Sequence, residues 1–142
     1  MYLLDTNVIS ELRQDRGRRT SARVAAWIGA QEPGLLYLSI VVVLELEMGV
    51  LRKEQSDPAQ GAVLRRWLEG YVLPSFGGRI LPVDVQVARR CAALHVPVTQ
   101  PYGDALIAAT AEVHRMTVVT RNVADFLPTG VAVFNPWEHL AG

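Results

Sequence analysis

Short apolar runs alternate with longer segments of helical periodicity along the whole chain. Runs of about four apolar residues favour strands, whereas apolar residues spaced three and four apart favour amphipathic helices. Regular alternation of the two patterns is typical of an α/β fold with a parallel sheet. The strands predicted in this way are Tyr2 to Leu4, Leu35 to Ser39, Arg79 to Pro82, Thr117 to Thr120 and Val131 to Phe134.

Helix start signals delimit the segments between those strands. Ser21, Asp57 and Asp84 stand where helices are expected to begin, because short polar side chains cap the free N–H groups of a first turn. No internal repeat or linker interrupts the pattern, so residues 1–142 are expected to form a single domain. The predicted helices run from Val8 to Arg13, from Ser21 through Trp27, from Val41 to Lys53, from Asp57 through Leu68, from Asp84 through Leu94 and from Tyr102 to Arg115.

Composition excludes several classes of protein. The chain has 142 residues and one cysteine, Cys91, which excludes an internal disulfide scaffold and a zinc finger. The longest apolar stretch, Leu35 to Leu44, is shorter than the roughly 20 residues of a membrane-spanning helix. An acid at position 5 with no basic residue before it is wrong for a signal peptide, so a reducing, cytoplasmic location is expected. With 14 basic and 14 acidic side chains, net charge gives no general attraction for nucleic acid.

Acidic residues stand where predicted strands end and helices begin. Asp5 follows the first strand, Asp104 opens an Ala-rich helix, and Asp125 comes shortly after the strand that ends at Thr120. In an open parallel sheet the carboxyl ends of the strands form the edge where ligands bind, so these carboxylates are expected to converge. Glu45 is the fourth candidate, since on a helical wheel it lies among mostly apolar positions.

Grouped carboxylates point to a divalent cation. They repel one another and have raised pKa values unless a cation neutralises them. With no cluster of His or Cys available, all-oxygen ligands favour Mg²⁺ or Mn²⁺. Each acid also has a purely structural explanation: Asp5 as a helix cap, Asp104 as a first-turn acid, Glu45 on an exposed helix face and Asp125 in a turn. Their joint placement at strand ends favours the functional interpretation.

Five blocks of sequence carry a resemblance when they occur together in this order: Leu3 to Arg13, Glu45 to Val50, Asp104 to Ala111, Thr120 to Phe126 and Phe134 to Trp137. They extend over nearly the whole chain. With them the sequence resembles the PIN-domain ribonucleases, and among these the VapC toxins of bacterial toxin–antitoxin pairs, FitB-like proteins in particular.

The resemblance implies a fold and a site. The fold is a three-layer α/β/α domain with a central parallel sheet of four to five strands. Asp5, Glu45, Asp104 and Asp125 form its acidic metal site, which holds Mg²⁺ or Mn²⁺. Thr120 supports that site and is expected within hydrogen-bond reach of a carboxylate or a metal water. One departure is Val42, three residues before Glu45, where the family often has Thr.

An activity and partners are also implied. The activity is metal-dependent endonucleolysis of RNA, in which a metal-activated water attacks phosphorus in line. The partners are a second copy of the chain in a homodimer and a cognate antitoxin, usually a small DNA-binding protein, that blocks the acidic pocket. Independently of the resemblance, Arg13, Arg121 and the loop from Arg16 to Arg19 are candidate contacts for RNA phosphates. A solvated basic loop is the alternative for Arg13 and the loop, whereas Arg121 is better placed beside the acids.

Two other functions compete with this interpretation. A phospho-acceptor receiver domain also groups acids around Mg²⁺ at the end of a parallel sheet, but it needs adjacent acids after the first strand and a Lys after the last. Here Asp5 stands alone and the sole lysine is Lys53. A PIN-like module that binds RNA or protein without cutting is the second alternative, against which the presence of all four acids argues.

Overall fold

Five parallel strands form the centre of the computed structural model, which describes residues 1–13 and 19–139, with backbone alone at residues 19–21. Their order is β3-β2-β1-β4-β5, and each neighbouring pair is parallel. The α/β class and the parallel sheet predicted from the sequence are confirmed. The strands are β1 (Tyr2–Leu4), β2 (Leu36–Ser39), β3 (Ile80–Leu81), β4 (Thr117–Val119) and β5 (Val133–Phe134).

Helices cover both faces of the sheet. Successive strand residues point to opposite faces, and in β1 both Leu3 and Leu4 are at most 1% exposed. Val118 and Val119 of β4 are likewise fully buried. A strand buried on both sides requires a layer above and a layer below, which is the α/β/α arrangement expected.

The helices largely follow the predicted segments. Ser21 is an exception: as a helix start it is wrong, because α2 already includes Arg19 and serine is only weakly disfavoured inside a helix. Within the described ranges, none of the helices is long and apolar enough to cross a membrane. The helices are α1 (Thr6–Arg13), α2 (Arg19–Gly29), α3 (Ile40–Ser56), α4 (Pro58–Trp67), α5 (Leu73–Ser75), α6 (Val85–Leu94), α7 (Tyr102–Val113) and α8 (Val123–Phe126), with a π-helical turn at Leu68–Val72 and 3₁₀ turns at Pro33–Leu35, Leu127–Thr129 and Pro136–Glu138.

The helices α3 and α4 form a tightly packed hairpin. Asp57 caps α4 by accepting a hydrogen bond from Gln60 N, as its position before proline predicts. Arg65 of α4 reaches back to α3 and pairs with Glu47 at 2.6 Å and with Glu54 at 2.8 Å. This hairpin holds α3, which carries Glu45, against the sheet.

The strand order creates one topological switch point. From β1 the chain proceeds outward to β2 and β3, then returns to the other side of β1 to form β4 and β5. Crevices at such switch points, at the carboxyl ends of the strands, are the usual ligand sites of open α/β sheets. Asp5 directly follows β1 and Thr120 directly follows β4, so both lie at the switch point.

Candidate active site

Asp5 is fixed at the end of β1 by hydrogen bonds from several elements. Its backbone N–H donates to Val119 O of β4 at 2.9 Å, which continues the ladder between the two strands. The side chain, only 6% exposed, accepts from Thr6 N at 2.8 Å through Oδ1. Oδ2 accepts from Thr120 Oγ1 at 2.8 Å and from Asn7 Nδ2 at 3.3 Å. The carboxylate is therefore held in one orientation.

The Thr120 hydroxyl uses its full hydrogen-bonding capacity. It donates to Asp5 Oδ2, as expected from the sequence, and accepts from Asn7 Nδ2 at 3.1 Å and from Asn122 N at 3.0 Å. One donor and two acceptor positions are all that a hydroxyl provides. Because Thr120 is fully buried, none of these bonds is replaced by bulk water.

Asn7 is a site residue that the sequence reasoning missed. Its amide donates to Asp5 and Thr120, while its Oδ1 accepts from Arg121 N at 3.2 Å. Asn7 thus ties α1 to the loop after β4. In the sequence it stands in a run that also predicts a helix cap, and only its spacing of two residues from Asp5 hinted at a further role.

Glu45 and Asp104 reach the same edge from two helices. Ser39 begins α3 by accepting a hydrogen bond from Val41 N at 3.1 Å, and the helix then presents Glu45 at the rim. Asp104 lies half-buried in the first turn of α7. The two helices are close here, since a Cβ placed on Gly103 would lie 3.9 Å from Glu45 Oε1.

The carboxylates interact electrostatically. Burial raises the pKa of Asp5 most, with a smaller increase from the charge of Asp125; hydrogen bonds from Thr120, Thr6 and Asn7 oppose it. Burial also raises the pKa of Asp104, and the charges of Asp5 and Asp125 add to the effect. The pKa of Glu45 is raised by burial, by Asp5 and by Asp104, while the Thr6 hydroxyl lowers it. Among the described residues, the groups that shift these three pKa values include no Lys or Arg.

Asp125 is the fourth acid at this edge. It is exposed in the short helix α8, as Glu45 is in α3, and its charge raises the pKa values of Asp5 and Asp104. The structure therefore places all four predicted acids in one electrostatically linked group.

The chemistry of this group fits a hard divalent cation. Carboxylate oxygens are the ligands that Mg²⁺ and Mn²⁺ prefer, and in the described part of the chain no basic side chain offsets their mutual repulsion. Within residues 1–13 and 19–139, no three His, Cys, Asp or Glu side chains converge into a ready-made cage. Mg²⁺ does not need one, because it commonly takes one or two carboxylates and completes its coordination with water and phosphate oxygens. Asp5 and Asp104 could supply those two ligands.

Comparison with known proteins identifies the family of this chain. Residues 2–126 match the family model of the PIN domain. The chain belongs to the PIN domain family.

Relatives of this PIN domain include named toxins and ribonucleases. It is similar to the VapC ribonuclease Y4jK of Sinorhizobium fredii, with 38% identity over 143 residues, 97% of this chain and 99% of the relative. It is also similar to toxin FitB of Neisseria gonorrhoeae, with 41% identity over 144 residues and the same coverage of both chains. A solved structure of FitAB bound to an IR36 DNA fragment matches with a TM-score of 0.82 and 38% identity, over 100% of this chain and 99% of that one. The resemblance to VapC and FitB-like proteins is confirmed.

The arginines singled out from the sequence lie in different surroundings in the PIN domain. Exposed Arg121 follows Thr120, and its guanidinium lies 5.5 Å from the centroid of the Trp137 ring. Arg13, at the end of α1, lies 5.9 Å from the centroid of the Trp67 ring. The loop from Arg16 to Arg19 falls outside the described residues except for the backbone of Arg19, which begins α2.

Val42 is part of the core. It is fully buried in α3, so the hydroxyl that the family often has at this position is replaced by an apolar contact. The departure from the family pattern leaves the acids themselves in place.

Proposed function

We propose that this PIN domain, with residues 1–142 acting as one unit, is an endoribonuclease that requires Mg²⁺ or Mn²⁺ and serves as the toxin of a toxin–antitoxin pair. The observation that carries the proposal is the group of Asp5, Glu45 and Asp104 at the switch point between β1 and β4, whose pKa values are raised together. Relatives named as a VapC ribonuclease and a FitB toxin support the activity and the biological role.

Each site residue has a definite part in this proposal. Asp5 and Asp104 are the principal metal ligands, and Glu45 and Asp125 complete the acidic site. When bound, such a cation lowers the pKa of a water and stabilises charge on a phosphate group. Thr120 holds the Asp5 carboxylate in the orientation described above, so that ligation requires little reorganisation. Hydrolysis by water then leaves 5′-phosphate and 3′-hydroxyl ends on the RNA.

Cleavage of RNA by the purified protein tests the proposal. A mixed cellular RNA pool is incubated with Mg²⁺, with Mn²⁺ or with a chelator, and the product ends are mapped. We expect cleavage that requires the metal and leaves 5′-phosphates, and that is absent in Asp104→Asn purified identically. Glu32→Gln, which neutralises an exposed acid before β2, is the matched control and is expected to cut like the wild type.

Other outcomes favour other functions. Products with a 2′,3′-cyclic phosphate would mean attack by the RNA's own 2′-hydroxyl and would contradict hydrolysis by water. Equal cutting by the wild type and Asp104→Asn would show that this acidic group is not the active site. RNA binding without cleavage in any metal would favour a silent binding module, and phosphorylation by a small phosphodonor would favour a receiver domain.

Removing the Thr120 hydroxyl tests the positioning of Asp5. Thr120→Val keeps the shape of the side chain but removes one donor and two acceptor positions. We expect cleavage to fall by about 10- to 100-fold, the usual effect of losing a group that orients a metal ligand. Thr120→Ser, which restores the hydroxyl, should recover most of the rate. Both rates are measured under saturating metal, and equal rates for Val and Ser would contradict this role.

An antitoxin is the proposed regulator. An apolar groove of about 1190 Å³ lies between α1, α2 and the segment from α4 to α5. Arg13 and Trp67 line both this groove and a small pocket that contains Glu45. A segment lying in the groove therefore ends next to the pocket of Glu45, one of the four acids. The groove is lined by apolar side chains that include Ile9, Leu12, Ile28, Val63 and Trp67.

A homodimer is proposed on the outer face of α3. Ile40, Leu44, Met48 and Leu51 are 43%, 59%, 39% and 51% exposed and recur at helical spacing, so they form one apolar stripe. Soluble proteins rarely leave such a continuous apolar stripe uncovered. A second copy of the chain covers it in the proposed dimer.

A charge within this stripe is expected to separate the two copies. Leu44→Glu should raise the dimer dissociation constant by about 100-fold or more, because it buries an unpaired carboxylate. Light scattering during size-exclusion chromatography measures the change. Val85→Glu, at a residue 75% exposed on α6, carries the same charge outside the stripe and should remain dimeric. A dimeric Leu44→Glu protein would place the interface elsewhere.

A further inference from the structure

An exposed aromatic residue begins the helix that carries Asp104. Tyr102 is the first residue of α7, two residues before Asp104 and adjacent to Gly103, which lies beside Glu45. With a rise of about 1.5 Å per helical residue, its backbone lies within one turn of Asp104. The Tyr102 residue is 72% exposed.

The ring has a fixed support. The His95 ring packs against that of Tyr102 with centroids 4.7 Å apart and an angle of 37° between the planes. His95 is itself held by the loop that leads into α7, because its Nδ1 accepts a hydrogen bond from Gln100 N at 3.0 Å. His95 and Tyr102 therefore form a two-ring platform, in which Tyr102 is the residue largely open to solvent.

Such a platform complements the electrostatics of the site. The carboxylates nearby repel the RNA backbone, and Tyr102 adds an attraction that depends on the face of a base and not on charge. Aromatic side chains beside channels for single-stranded nucleic acids commonly bind bases by stacking. A nucleotide beside the scissile phosphate can be held in this way without a basic residue among the acids.

We propose that Tyr102, supported by His95, stacks against an RNA base next to the phosphate that is cleaved. This inference rests on the proposed ribonuclease function and adds a substrate-binding residue to it. Stacking accepts any base, so Tyr102 contributes to affinity and to the position of the strand, and the hydroxyl group of the tyrosine is dispensable.

Binding to a short single-stranded RNA tests the inference without relying on cleavage. Fluorescence anisotropy with a labelled oligonucleotide of about 12 nucleotides is measured in the Asp104→Asn background, which prevents cutting. We expect Tyr102→Ala to weaken binding by roughly 5- to 100-fold. Tyr102→Phe, which keeps the ring, should bind like its parent. Val85→Ala removes a similarly exposed side chain, 75% exposed, on α6 outside the apolar groove and outside the α3 stripe, and should also leave binding unchanged.

A series of oligonucleotides with one abasic position each identifies the stacked base. At one position, removal of the base should weaken binding by the parent but have no further effect on Tyr102→Ala. Three outcomes overturn the proposal: Tyr102→Ala binds as tightly as Val85→Ala, no abasic position is coupled to Tyr102, or the Asp104→Asn parent does not bind RNA. A change of oligomeric state in Tyr102→Ala would also overturn it by assigning the ring to a protein interface.

Failure of this inference is distinguishable from failure of the proposed function. If the wild type cuts RNA but Tyr102→Ala and Val85→Ala bind alike, the ribonuclease proposal stands and only the stacking role fails. If the wild type cuts no RNA in any metal, the ribonuclease proposal fails, whatever the binding measurements show.

Discussion

Asp104→Asn is expected to abolish RNA cleavage and to stabilise the folded protein at neutral pH. Loss of a principal metal ligand should reduce the cleavage rate by about 10³-fold or more, as for other residues that act as part of one catalytic unit. The gain in stability has a separate cause. Asp104 has a raised pKa because of its burial and the charges of Asp5 and Asp125, so its ionised form is disfavoured in the folded state.

The direction of the pH dependence follows from that raised pKa. Between the ordinary carboxyl pKa and the raised folded value, the folded state binds more protons than the unfolded state, so stability falls as pH rises. Above the pKa of Asp104 in the folded state no further stability is lost, so at neutral pH the wild type shows the full decrease in its free energy of unfolding. Asn removes this contribution. After allowance for solvent screening at this half-buried site, we expect a modest gain in stability, seen as a higher Tm at neutral pH.

Thermal unfolding from pH 4 to pH 8, with and without Mg²⁺, measures both effects. The difference in Tm between Asp104→Asn and the wild type should be small at pH 4 and increase towards pH 7. Added Mg²⁺ should raise the Tm of the wild type more than that of the variant, because binding to the folded state alone stabilises it. Glu32→Gln controls for the loss of one exposed charge. A variant less stable than the wild type at pH 7, or equally stabilised by Mg²⁺, would contradict the assignment of Asp104.

Gly61→Ala is expected to destabilise the protein strongly, through the α3–α4 hairpin. A Cβ at Gly61 would lie 2.5 Å from Glu54 Cα and 2.7 Å from Glu54 N, both backbone atoms of the facing helix. Because α3 cannot yield there locally, the two helices must move apart, which also strains the pairs of Arg65 with Glu47 and Glu54. Overpacking of this kind costs about 1–3 kcal/mol of unfolding free energy.

Urea unfolding compares Gly61→Ala with Gly49→Ala. Gly49 lies inside α3 with no atom within 4 Å of an added Cβ, so alanine there should stabilise the protein by about 0.5–1 kcal/mol through its higher helix propensity. Opposite signs for the two substitutions are the expected result. Destabilisation of similar size by both would mean that helix packing at Gly61 is not the cause.

The sequence predicted those features that depend on neighbouring residues. Alternation of short apolar runs with helical segments was sufficient for the parallel α/β sheet, and Asp57 and Asp84 cap helices where expected. The apolar spacing along α3 predicted Glu45 on the inward side; its charge interacts with that of Asp5, but Glu45 is exposed at the rim. The pairing of Glu47 with Arg65 was not predicted. The π-helical turn at Leu68–Val72 was not predicted, because the apolar pattern continues through it unchanged.

Features that depend on residues far apart in the chain were harder to predict. The hydrogen bond from Thr120 to Asp5 joins residues 115 apart in the chain. It was expected only because of the family resemblance. Asn7 bonds to Thr120 and to Arg121 N for reasons that no local pattern shows. Tyr102 looked like an ordinary helix residue, since only the packing of the loop before α7 shows that its ring remains exposed.

The central position of β1 has a consequence for synthesis on the ribosome. Asp5 is among the first residues to emerge, but its strand lies between β2 and β4, and β4 is made only after residue 116. Asp104, Thr120 and Asp125 also emerge late, so a growing chain holds Asp5 and Glu45 long before it holds the rest of the acidic group. Contacts of such long sequence separation form late in folding. The acidic group is therefore complete only when nearly the whole chain has been made.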